Sequence, residues 1–128
     1  LNNQDQEDEH SCFSDNTHRD IILNAQGIRN VYSGKYKRLD GSTVSGISIN
    51  DLVQQVNTTL ANDIEALSVQ IAKSAAAIPV PFDNALTGET IKDNGPIMTT
   101  VKALQKQGDK FTEAALALGV KIGTALPE

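Results

Sequence analysis

The sequence feature that most constrains the fold is an apolar pattern that recurs at steps of three or four residues in the middle of the chain. This spacing places the apolar side chains on one face of an α-helix. Ser48 and Asp51 form a capping-box pattern at its start, and Pro79 and Pro81 follow its end. We therefore predict one helix over residues 48–78, about 45 Å long at about 1.5 Å per residue. Its apolar face consists of Ile49, Val53, Val56, Leu60, Ile64, Leu67, Ile71, Ala75 and Ile78.

Two further amphipathic helices are predicted, one on each side of this helix. The first covers residues 17–34 and ends at Gly34, a typical helix stop. The second covers residues 96–122 and begins where Gly95 is followed by Pro96, a favoured first-turn residue. Their apolar faces are Ile21, Ala25, Ile28 and Tyr32 in the first helix, and Ile97, Val101, Leu104, Gly108, Phe111, Ala115, Leu118 and Ile122 in the second. A glycine within the second of these faces suggests a close contact between helices.

The segments between the predicted helices are short and rich in turn residues. Asp40 and Gly41 form a turn dipeptide. Residues 35–47 are therefore predicted to form a short hairpin or an ordered loop, and residues 79–95 are predicted to form a loop.

The predicted fold class is all-α, a helical bundle of three amphipathic helices, two of them long. The chain has three Phe, two Tyr and no Trp, so its core must come from Leu, Ile, Val and Ala, which suits closely packed helices. Three helices leave one apolar face without a partner in a four-helix bundle. We expect the missing helix to precede residue 1, so that the 128 residues are one part of a larger fold.

The negative charge of the chain lies almost entirely at its N-terminal end. Residues 1–20 contain six acidic side chains and one basic side chain, whereas the rest of the chain has equal numbers of both. A concentrated negative field attracts cations and repels nucleic acids and anionic lipids. Cys12 is the only cysteine, which excludes an internal disulfide and a zinc site built from cysteines. No run of about 18 apolar residues is present to span a membrane.

Residues 1–16, the acidic segment, have two interpretations. Glu7 and His10 lie three residues apart, the spacing with which helical bundles direct a carboxylate and an imidazole at a metal. Asp15, His18 and Asp20 follow, and ligands of this kind without thiolate suit iron, zinc, manganese or calcium. The same residues also describe a solvated surface. In addition, Asp15 is the type of residue that caps a helix.

Catalysis by a nucleophile is a poor fit to the sequence. Ser11 and Cys12 lie beside His10, but neighbours in sequence do not make a triad. The H-E-x-x-H motif of many metallopeptidases is absent, as is a glycine-rich phosphate loop.

Several uncommon stretches together resemble the imelysin family of bacterial envelope proteins. They are QEDEHSCFSDNTHRDI, LNAQGIRNVYSGKY and SGISINDLV, with the Asp40-Gly41 turn between the last two. The likeness covers most of residues 4–56, and IPVPFDNAL and the helix from Pro96 to Ile122 match the family more loosely.

The resemblance implies an all-α protein of two related helical bundles, in the periplasm or at the cell surface, often anchored as a lipoprotein and linked to iron uptake. It implies that this chain is the C-terminal part and that its partner is the N-terminal half of the same protein. The family's G-x-H-x-x-E motif, proposed for metal binding or peptidase catalysis, is absent here: His10 and His18 lack both the Gly and the Glu. No catalytic residue is therefore assigned in this chain.

The resemblance leaves three hypotheses. In the first, the assembled protein binds a divalent metal, iron or a metal-bearing ligand. This chain would then contribute Glu9, Asp15 and His18, with Glu7, His10 and Asp20 as second choices. In the second, the same assembly is a metallopeptidase that activates a water molecule at the metal. In the third, the chain is a structural helical module whose acidic segment only solvates and caps.

Overall fold

The computed structural model describes residues 6–86 and 92–123 of the chain. Within them, four α-helices account for most of the structure, and the all-α prediction is confirmed. None of the helices in this part of the chain has the length and apolar character needed to cross a membrane. The elements are α1 (Thr17–Ser33), β1 (Lys35–Lys37), β2 (Thr43–Ser45), α2 (Ile49–Val56), α3 (Thr58–Ala76) and α4 (Pro96–Ala117).

The single helix predicted over residues 48–78 is two helices in the structure. Asn57 interrupts it with an extended backbone, at φ −157° and ψ 90°. Its amide N–H still ends α2 by donating to the carbonyl of Val53, and its side chain begins α3 by accepting from the N–H of Leu60 at 3.0 Å. Val56 and Leu60 keep the spacing of four, so the apolar periodicity runs through the break and cannot reveal it.

The start of α2 agrees with the sequence. The Ser48 hydroxyl accepts from the Asp51 N–H at 3.1 Å, and the Asp51 carboxylate accepts from the Ser48 N–H at 2.9 Å. Both halves of the predicted capping box are therefore formed.

Residues 35–47 contain an antiparallel hairpin, the first of the two alternatives predicted for them. Lys35 pairs with Ser45, and Lys37 pairs with Thr43. At the turn, the Asp40 carboxylate accepts from the Ser42 N–H at 2.8 Å. This local bond fixes the tip of the hairpin.

The core lies mainly between α3 and α4. Seven of the nine apolar positions predicted for the middle helix are buried, and the two exceptions, Ile49 and Val56, lie in α2, before the break. Of the predicted face of α4, only Ile97 is fully buried. The other buried side chains of this helix are Thr100, Ala103, Gln107 and Ala114.

Two further expectations about α4 are wrong. The helix ends at Ala117 rather than at residue 122, since Gly119 has a left-handed backbone at φ 80°. Gly108 makes no close helix contact, because a Cβ placed there would have no neighbour within 4 Å.

Candidate functional site

The acidic segment folds against the start of α1. Its described residues form two short 3₁₀ turns, Gln6–Asp8 and Cys12–Ser14. Thr17, the first residue of α1, is buried at 5% exposure. It links α1 to the acidic segment. Its hydroxyl donates to Glu9 Oε2 at 2.9 Å and accepts from the Ser11 N–H at 3.2 Å. Asn16 occupies the N-cap position but makes no capping bond with its side chain. The start of α1 is therefore held by the bonds between Thr17 and the acidic segment.

A second set of contacts ties the segment to the first turn of α1. His10 Nδ1 lies 2.8 Å from Asp20 Oδ2, and the Ser11 hydroxyl donates to the same oxygen. The Ser11 hydroxyl and then His10 lower the pKa of Asp20 below its ordinary value of 3.8. Asp20 is therefore an ionised acceptor at neutral pH, and its Oδ2 atom holds both His10 and Ser11.

Glu9 faces a carboxylate from a distant part of the chain. Asp83, in the 3₁₀ turn Phe82–Ala85, contacts the Glu9 side chain. Burial, and then this contact, raise the pKa of Glu9 above its ordinary value of 4.5, while Thr17 works in the opposite direction. Two facing carboxylates satisfy each other only when one of them holds a proton or a cation lies between them.

Two predicted site residues each have a buried polar atom without a hydrogen-bond partner. The atoms are Oε1 of Glu9 and Nδ1 of His18. A buried polar atom without a hydrogen bond costs roughly 1–3 kcal/mol, so atoms of this kind mark places where a further group is expected. Tyr32 supplies the third such atom among the described residues, its hydroxyl, and belongs to the core.

Cys12 lies in the negative field of this segment. Burial raises the pKa of its thiol above the ordinary value of 9.0, and the charges of Glu9 and Asp83 raise it further. The neutral thiol is a weak nucleophile. Both effects favour the neutral form of the Cys12 thiol.

Among the predicted site residues, the structure pairs two with each other and brings a third against a residue that was not predicted. His10 pairs with Asp20, whereas Glu9 meets Asp83. Asp15 is exposed and has a left-handed backbone at φ 54° as it ends the second 3₁₀ turn. Glu7 is also exposed. Among residues 6–86 and 92–123, no three His, Cys, Asp or Glu side chains are arranged to hold a metal ion. The described residues therefore do not form a complete metal site by themselves.

The comparison with protein families shows which family this chain belongs to. The imelysin family model (Peptidase M75) matches residues 1–111, which includes the acidic segment and α1, α2, α3 and most of α4. The chain belongs to the imelysin family. A search of curated proteins found no match to it.

Within this imelysin chain, sequence reasoning missed three residues of the site. Asp83 is about 70 positions away from the acidic segment, and no local pattern connects it with Glu9. Its only signal was its place in IPVPFDNAL, a stretch that resembled the family. Ser11 and Thr17 were assigned no role as partners, although their hydroxyls hold Asp20 and Glu9.

Proposed function

We propose that this chain is the C-terminal helical part of an imelysin of the bacterial envelope that takes part in iron uptake. In this proposal Glu9, Asp15 and His18 contribute to a site for iron, another divalent metal or a metal-bearing ligand. The observation that carries it is that Oε1 of Glu9 and Nδ1 of His18 are both buried and have no hydrogen-bond partner. Carboxylate oxygen and neutral imidazole nitrogen are both suitable ligands for iron or zinc.

The site is proposed to be shared with the N-terminal half of the same protein. The described residues supply fewer than three converging ligands, whereas a protein site for iron or zinc usually takes at least that many protein donors. The remaining ligands would then come from the other half. Peptidase activity would also depend on that half, because the G-x-H-x-x-E motif is absent from this sequence.

An apolar groove is the surface on which the N-terminal half is proposed to pack. The groove lies between α1 and α4 and has a volume of about 710 Å³. Val31 is 72% exposed and Leu23 is 56% exposed on its α1 side, and Phe111 and Leu118 line it from α4. The proposed occupant is an amphipathic helix of the preceding half, because covering such apolar side chains contributes about 25 cal/mol per Å².

The metal proposal is tested on the full-length protein with its N-terminal half present. We expect His18→Ala to weaken the binding of Fe²⁺ and Zn²⁺ in calorimetry by at least about tenfold, since its imidazole would be a ligand. His10→Ala is the matched control, because His10 is largely exposed and already paired with Asp20. Unchanged affinity in His18→Ala, or an equal loss in both variants, would show that the site is wrongly assigned.

The groove is tested by the sign of a stability change in the same full-length protein. If Val31 is covered, Val31→Ala should lower the free energy of unfolding by about 1 kcal/mol through lost packing. If it is exposed, the better helix propensity of alanine should instead raise that free energy by up to about 0.7 kcal/mol. Val69→Ala is the control, because Val69 lies in α3 at 52% exposure and outside the groove. A stabilised Val31→Ala variant would contradict the proposed packing.

A further inference from the structure

A second concave surface of the molecule, the polar cleft, has a lining of unusual chemistry. It lies between the second half of α1, the hairpin, α2 and the start of α3, and its volume is about 570 Å³. Of its fifteen lining residues, fourteen carry polar side chains and the other is Gly46. Ligand pockets in proteins are usually lined mainly by apolar groups. A cleft without any apolar side chain suits an occupant that is polar on all sides.

The hairpin contributes two lysines to the lining of this cleft. Lys35 and Lys37 are two positions apart on β1 and so share one face of the strand. Both line the cleft, together with their cross-strand partners Ser45 and Thr43. Tyr36, between the two lysines, is not part of the lining. Because side chains alternate between the two faces of a strand, the two lysines and their two hydroxyl-bearing partners lie on the face that lines the cleft.

The other charges of the cleft already have partners. Arg29 forms an ion pair with Glu65, and the Asp51 carboxylate is held by Ser48 in the capping box. By contrast, Lys35 and Lys37 have no ion-pair partner among the described residues. Two like charges on one strand face repel each other, and the cleft lining holds three basic and two acidic side chains although the chain as a whole carries −5.

We propose that the polar cleft binds a small organic polyanion of the hydroxy-polycarboxylate class. The two lysines would neutralise its carboxylates, and the amide and hydroxyl side chains from α1, α2 and β2 would bond its remaining oxygens. The cleft has room for roughly nineteen water molecules at about 30 Å³ each. Lys35 and Lys37 lie two strand positions apart, or roughly 7 Å, so two carboxylates of one molecule can each meet one of them.

This site is separate from the one at the start of α1. Asp20 and Arg29 are nine positions apart on α1, which corresponds to roughly 14 Å along the helix axis. Binding in the polar cleft therefore requires none of Glu9, Asp15 or His18. The result of a binding test at the cleft is independent of the metal proposal.

The test is calorimetry of the full-length protein with citrate as the probe. We expect saturable binding with a dissociation constant of about 1 mM or tighter. The charge-neutralising variant Lys35→Gln/Lys37→Gln should bind citrate at least about tenfold more weakly, because both ammonium groups are lost. Amide chemical shifts of wild-type protein should change on titration in residues 26–33, 35–37 and 43–45.

A matched control removes two lysines elsewhere. Lys73→Gln/Lys121→Gln changes the net charge by the same amount at two exposed positions outside the cleft and should keep wild-type affinity. Equal loss in both variants would mean that citrate responds only to net charge and would overturn the proposal. It would also be overturned by the absence of saturable binding, by equal affinity for inorganic phosphate, or by equal affinity for a neutral sugar.

Discussion

Replacing Gly34 with alanine is expected to lower the free energy of unfolding by about 2–5 kcal/mol. Gly34 ends α1 with a left-handed backbone at φ 61°, a conformation that costs an L-residue with a Cβ about 1–2 kcal/mol. The added Cβ would also lie 2.7 Å from Cβ of Ser48 and 3.0 Å from the carbonyl oxygen of Gly46. Relieving such contacts in a packed region costs about 1–3 kcal/mol.

The contact at Gly34 also holds the hairpin and α2 against α1. Its carbonyl accepts from the Gly46 N–H at 3.1 Å, so both ends of the hairpin meet at this residue. A side chain here would separate Ser48 from α1. We therefore expect the Gly34→Ala variant to show altered amide shifts at the start of α2 as well as lower stability.

Denaturant unfolding of Gly34→Ala beside Gly41→Ala separates the two contributions. Gly41 also has a positive φ, 85°, but nothing lies within 4 Å of a Cβ added there. Gly41→Ala should therefore show only the backbone term, about 1–2 kcal/mol. If the two variants lose the same stability, the close approach of Ser48 to Gly34 contributes nothing and the packing argument fails.

The helices could be predicted because their apolar residues recur with the period of an α-helix. The break at Asn57 could not, since the periodic face continues across it from Val53 to Leu60. What accompanies the break is a local competition: the Asn57 side chain accepts from the Leu60 N–H in place of a backbone carbonyl. Periodicity indicates which face of a helix is apolar. It does not indicate where a side chain replaces a backbone hydrogen bond.

The face of α4 shows a second limit of apolar periodicity. Val101, Leu104 and Phe111 are half-buried, while the polar Thr100 and Gln107 lie fully inside. The apolar stripe of α4 is wide enough to serve both the α3 contact and the apolar groove. A polar residue can occupy the inner position only if its partner is present on α3, and that partner cannot be identified from α4 alone.

The candidate site could be located from the sequence but not assembled. The acidic segment was recognisable from its charge and from His10 and His18, and its contact with α1 follows from its position in the chain. The meeting of Glu9 with Asp83 depends on how the loop after α3 returns to the start of α1. Such a contact is set by tertiary packing, so no spacing in the sequence could indicate it.

Replacing Ser68 with alanine is expected to lower the free energy of unfolding by about 1–3 kcal/mol, more than replacing its partner Gln107. Gln107, at 4% exposure, donates its side-chain N–H to the Ser68 hydroxyl at 2.9 Å. The Ser68 hydroxyl in turn donates to the carbonyl of Ile64 at 3.1 Å. Ser68→Ala therefore leaves a buried amide without this acceptor, whereas Gln107→Leu leaves the serine with its bond to Ile64.

Chemical denaturation of the two single variants and the double variant measures this asymmetry. Gln107→Leu should cost less than about 1 kcal/mol, since an apolar side chain of similar size fills the same space. The double variant Ser68→Ala/Gln107→Leu should recover most of the stability lost in Ser68→Ala, because no amide then remains unpaired. If the losses simply add, Ser68 and Gln107 are not energetically coupled, and if Gln107→Leu is the more damaging change, the glutamine contributes more than its unpaired amide costs. The stability lost in Ser68→Ala would then not come from a buried N–H donor left without an acceptor.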